Sequence, residues 1–162
     1  MTIKKIYLYL LAVCVACSLA ACEKEEDPFV DRVASPVLVV IQNSSGYLAG
    51  GGLYSEPVVS AKLGAPVVLS AKIYELDKSG LLSHTVGIDS IPVANLSVAL
   101  LTRTGTKIAD LVSDSEGTVT ITKTWDELGI AAPQKGTTLS LDWTGEYKGI
   151  GFARRSQLQA IE

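Results

Sequence analysis

Few residues in this chain have side chains suited to acid–base, nucleophilic or metal chemistry. His84 is the single histidine among 162 residues. Any imidazole base would have to be this one, and its neighbour Ser83 is adjacent in sequence rather than held as a nucleophile. Asp114, Glu116 and Gly117 put two carboxylates before a glycine. A calcium loop needs alternating oxygen ligands and a late glutamate, whereas Thr118 and Val119 follow here, so a hairpin turn is expected. Asp126, Glu127, Asp142 and Glu146 could act as an acid pair only if folding joined two of them. Gly50-Gly51-Gly52 lacks a following helix and a Lys-Ser/Thr, so it reads as a flexible loop rather than a phosphate cradle. No catalytic residue, metal site or cofactor is expected from these patterns. The aromatic side chains offer more. Trp125 lies outside the alternating runs in "KTWDELG", Tyr147 lies in a probable hairpin, "WTGEYKGIG", and Tyr47 and Tyr54 flank the triple glycine. These four are the candidate ligand- or partner-binding residues, since displayed rings give large contact area. Trp143 shares a face with Leu139 and Leu141 and is expected in the core.

The three cysteines, Cys14, Cys17 and Cys22, fall in the first 22 residues. Lys4 and Lys5 precede an uncharged stretch from Ile6 to Cys22, and the 16 residues from Ile6 to Ala21 are short for a bilayer-spanning helix. A basic start, an apolar run and small residues before a cleavage point are the parts of an export signal. Leu19-Ala20-Ala21-Cys22 resembles the lipobox of bacterial lipoproteins. That resemblance implies cleavage before Cys22, lipidation of its sulfur and acylation of the new amino terminus. One chain anchors marginally at about 0.8 kcal/mol per buried CH₂, and two or three hold firmly. Glu23-Lys24-Glu25-Glu26-Asp27 resembles the acidic export stretch of surface lipoproteins of Bacteroidota-type bacteria. It implies an outer-membrane protein facing the exterior, with a periplasm-facing location as the alternative.

Removal of residues 1–21 takes Lys4 and Lys5 with it, so 12 basic residues face 17 acidic ones, a net charge of −5. Such a chain is a poor nucleic-acid binder. It also has no cysteine after Cys22, so its stability must come from packing rather than disulfides. The expected organisation is a signal peptide over 1–21, a lipidated acidic tether over 22–35 and one domain over 36–162.

That domain reads as β structure. Apolar or alternating runs at 37–41, 57–63, 67–74, 96–101, 108–112, 118–122 and 138–144 are separated by Gly, Asn, Asp and Pro, with a last strand between 150 and 161. Val67, Leu69, Ala71 and Ile73 share one face, as do Leu96, Val98 and Leu100. Only "TWDELGI" suggests a helical turn, with Thr124 as cap and Glu127 three residues on. About seven short strands predict an all-β, antiparallel two-sheet sandwich. "GAPVVLSAKIYELDKSG" and "IPVANLSVALLTRTGTKIADLVSDSEGTVTIT" look like the immunoglobulin-like modules of bacterial surface proteins. The matching positions include Gly64, Pro66, Pro92, Leu96, Asp114 and Gly117. The resemblance implies an immunoglobulin-like fold and leaves function open.

The expected role is that of a non-catalytic, lipid-anchored binding or accessory module of a surface assembly. Its partners would be the membrane, through Cys22, and an outer-membrane or surface protein. A glycan-binding lipoprotein using exposed Trp and Tyr is the alternative, and a small hydrolase is the remote one.

Overall fold

The computed structural model describes residues 35–50 and 55–162. Ala34–Glu162 form one compact unit. Among the described residues there are nine strands and no helix. These are β1 (Leu38–Gln42), β2 (Val58–Lys62), β3 (Val67–Asp77), β4 (Asp89–Pro92), β5 (Ser97–Thr102), β6 (Lys107–Val112), β7 (Thr118–Lys123), β8 (Thr138–Tyr147) and β9 (Ile150–Ile161). The fold is therefore all-β, as the alternation predicts, with nine strands where about seven were expected. The element hardest to foresee is β4, four exposed residues ending in a proline, with no buried face to leave a pattern.

Two sheets face one another. The smaller is built on β3, with β1 along one edge and, end to end along the other, β7 and then β4. The larger runs β2-β9-β8-β5-β6. All pairings are antiparallel except β2 with β9. In β3 the period of two is obeyed closely: Val67, Leu69, Ala71 and Ile73 are fully buried. They belong to one apolar cluster with Val98 and Leu100 of β5, Leu141 and Trp143 of β8, and Leu158 of β9. Trp143 is in the core as predicted, and its indole N–H donates to Ser156 Oγ at 2.9 Å, which satisfies the one polar atom that burial would otherwise strand.

The turns do what their residues dictate. Asn43 Oδ1 accepts the N–H groups of Ser45 and Tyr47, and Gly46 takes φ 79° to close that loop. Asp114 Oδ1 likewise accepts from Glu116 and Thr118. The Asp114–Gly117 turn is real, but it is not a hairpin. It carries the chain from β6 in the larger sheet to β7 in the smaller one. At its end Gly117 (φ 71°) lies where β7 gives way to β4 along β3, and its backbone packs against the Ile73 carbonyl and the Val93 N–H.

Candidate functional site

The strand register brings one set of chain ends together. β1 begins opposite the last third of β3 (Leu38 beside Tyr74), and on the other edge of β3, β4 runs from the level of Tyr74 to Asp89 beside Asp77. The β8–β9 hairpin reaches the same end, because Tyr147 Oη donates to Glu75 Oε2 at 2.7 Å. In that hairpin Tyr147 pairs with Ile150, leaving Lys148 and Gly149 as a two-residue loop with φ values of 53° and 77°. Two successive positive φ values match the right-handed twist of the strands, and glycine accepts them freely. Lysine does not, and the contact it gains compensates: Lys148 Nζ donates to Glu75 Oε1 and lies 5.1 Å from the centre of the Tyr147 ring.

Glu75 thus joins the smaller sheet to the larger through both of its oxygens. The Lys148 ammonium, and after it the Tyr147 hydroxyl, hold the Glu75 carboxyl below its usual range. The carboxylate in turn raises Tyr147 and Lys148 above theirs. This trio is a clamp between sheets. With its hydroxyl committed and its ring beside an ammonium, Tyr147, a candidate binding residue, is half-buried rather than a freely displayed ring.

Beside the clamp, residues 78–88 connect β3 to β4. Asp77 accepts the Ser79 N–H at 2.8 Å, and successive turns follow: Leu81 N–H to Lys78 O, Ser83 N–H to Gly80 O, and Gly87 N–H to Ser83 O. Gly80 packs so closely on Val86 and the Gly87 carbonyl that a Cβ would collide with both. The connection is folded, yet Leu81, Leu82, Val86 and Ile88 face outward, with Leu82 fully exposed. His84 lies in this same connection, without a carboxylate or nucleophile bonded to it.

At the opposite end stands Trp125. Thr124 and Glu127 form the predicted capping box: the Thr124 N–H donates to Glu127 Oε2 at 2.8 Å, and the Glu127 N–H donates to Thr124 Oγ1 at 3.3 Å. Only a single turn follows, stopped at Gly129 (φ 84°). Burial of Trp125 and Leu128 seats that turn on the core. The Trp125 indole donates to the Lys62 carbonyl at 3.4 Å. Trp125 is 5% exposed, so of the two readings open to it, packed over a sheet edge or displayed for binding, the ring is packed rather than displayed, and it borders a cleft with Gly64, Pro66 and Pro133. Next to this turn is an open groove of about 510 Å³, lined by Arg103, Lys107, Glu127 and the hydroxyls of Thr102, Thr104 and Ser140 among others. Composition alone does not single out this groove, because its lining comes from three separated segments.

Trp125 and Tyr147 cannot form one platform. Trp125 follows Lys123, which pairs with Val67, whereas Tyr147 is bonded to Glu75. Eight residue steps of strand separate those two levels, about 26 Å at the usual rise. Tyr47 is exposed in the β1–β2 connection. Tyr54 and Cys22 lie outside the described residues. Among the described residues, no three His, Cys, Asp or Glu side chains gather as a metal site, and no helix is long and apolar enough to cross a membrane. No family model, curated protein or solved structure matches this chain.

Proposed function

We propose that this chain is a lipoprotein of the outer membrane, held through acyl chains on Cys22 and displayed at the cell surface, where its β domain serves as a non-catalytic binding or accessory module of a surface assembly. The observation that carries the reading is Leu19-Ala20-Ala21-Cys22 placed between an apolar run and Glu23-Lys24-Glu25-Glu26-Asp27. Small residues before the cysteine suit cleavage, and the acidic run keeps the following chain hydrated at the headgroups. The turn and strand pattern over roughly 58–155 is the ground for an immunoglobulin-like module. The sheet order, with β1 and β2 in different sheets and β2 parallel to β9, is in keeping with it.

The glycan-binding alternative loses its Trp125–Tyr147 platform to the separation of those rings. The surviving features on offer to a partner are backbone edges and exposed aliphatic side chains, which suit a protein or lipid surface better than a sugar face.

The test is crosslinking in intact cells followed by mass spectrometry of the purified protein. The expected result is a processed chain starting at an acylated Cys22, crosslinked to a membrane protein, with Cys22→Ser moving the protein out of the membrane fraction. A chain that begins elsewhere, or bears a free thiol and stays soluble, overturns the reading.

A further inference from the structure

Among the described residues, four of the ten exposed large hydrophobic ones, Leu81, Leu82, Val86 and Ile88, sit within the one connection 78–88. A folded connection that holds four aliphatic side chains in water without burying them is costly in isolation and calls for a covering surface. The connection lies at a particular place. Antiparallel pairing of Leu38 with Tyr74 directs the chain preceding β1 toward the Asp77 end of β3, level with the start of residues 78–88. The chain between Cys22 and the β domain therefore arrives at the end of the sandwich that carries these aliphatic residues, not at the end that carries Trp125.

We propose that residues 78–88 form a membrane-contacting loop, with Leu81 and Leu82 entering the headgroup–acyl boundary of the bilayer. The inference rests on the proposed anchoring at Cys22. From Cys22 to Ser35 there are 13 residue steps, which span at most about 45 Å when fully extended. The chain enters β1 from the 78–88 end, so this end needs the least extension of the tether to meet the surface, and the far end needs about a strand length more. The chemistry of the loop agrees. Within 78–88 there are four exposed aliphatic side chains, one lysine, Lys78, and no carboxylate, while the flanking Asp77 and Asp89 accept the N–H groups of Ser79 and Ser90. Aliphatic side chains with a lysine beside them suit contact with a membrane interface. The close approach of Gly80 to Val86 and the Gly87 carbonyl closes the turn from which Leu81 and Leu82 project outward.

The experiment uses the protein purified from bacterial membranes and reconstituted into vesicles of brominated phosphatidylcholine and phosphatidylglycerol, whose bromines quench nearby indoles. Leu82→Trp is compared with Thr104→Trp at the opposite end; both positions are exposed, and the native Trp125 and Trp143 are buried and common to both. Membrane contact gives at least about twofold stronger quenching and a blue-shifted emission for Leu82→Trp only. Equal quenching at the two positions overturns the proposal, including the case in which a protein partner rather than lipid covers the loop. Mass spectrometry of the same preparation reads Cys22 separately. If its thiol is bare, the processed protein is coupled through Cys22 to a maleimide lipid and measured again, so the loop is judged even when the native anchor fails.

Discussion

Glu75 shows how much one half-buried side chain can organise. It receives Lys148 on one oxygen and Tyr147 on the other, and these contacts set its protonation. Its folded pKa lies below the ordinary 4.5, with the Lys148 bond the larger cause and the Tyr147 bond the second. A depressed carboxyl stabilises the fold fully above its unfolded value, and that contribution disappears as pH falls through the lower folded value. Lys148 and Tyr147 are raised, so their share is complete below their ordinary 10.5 and 10.0 and is lost as pH rises through the higher folded values. We therefore expect the urea midpoint of Glu75→Gln to fall furthest below wild type on the plateau between about pH 5 and 9, and the gap to narrow in acid. The difference is modest, since solvent screens an exposed pair. A gap that widens below pH 4 would show the carboxylate to be destabilising instead.

Elements meet where β3 exchanges one neighbour for another. The edge of β3 holds β7 through Lys72 and β4 from Tyr74 onward, and Ile73 bonds to Gly117 on one side and Val93 on the other. A side chain at Gly117 would need a left-handed backbone and would place its Cβ 2.5 Å from the Ile73 carbonyl oxygen, a backbone atom that cannot turn aside. Positive φ alone costs about 1–2 kcal/mol, and the clash adds to it. Gly117→Ala is expected to lower stability by about 2–3 kcal/mol in denaturant titrations. Gly46→Ala serves as the control: its φ is also positive but open space surrounds it, so it bears the backbone cost alone. Equal losses at the two sites would remove the close-packed junction from the account.

Taken as a whole, the β domain is held by a single apolar cluster to which both sheets contribute. No cysteine occurs after Cys22. One cluster with no covalent crosslink implies cooperative unfolding of the two sheets together. Scanning calorimetry is expected to show one transition for the β domain, unchanged by reductant, with matching calorimetric and van't Hoff enthalpies. Two resolved transitions would mean that the sheets have separate cores. The proposed function operates at this scale too, because the proposed anchor and the aliphatic loop act together only where the antiparallel pairing brings the start of β1 and the end of β3 to the same end.

Much of the architecture is legible in the residue order because strand periodicity is local. Val67, Leu69, Ala71 and Ile73 announce a buried face, Asn43 and Asp114 announce turns, and Thr124 with Glu127 announces a capped turn. Each depends on contacts within a few residues. The basic start, the apolar run and Leu19-Ala20-Ala21-Cys22 are local in the same way, and the proposed anchoring rests on them alone. What sits on which end, and what is displayed, is not local. Trp125 looks free in sequence but is buried by segments far from it, and Tyr147 looks free but is claimed by Glu75, 72 residues away. β4 has no pattern to detect because its partner, not its own burial, makes it a strand. The side-chain alternation thus determined that the chain would fold as sheets, while only long-range pairing, driven by shared burial between sheets, decided which rings vanish inside and which aliphatic loop is left facing outward.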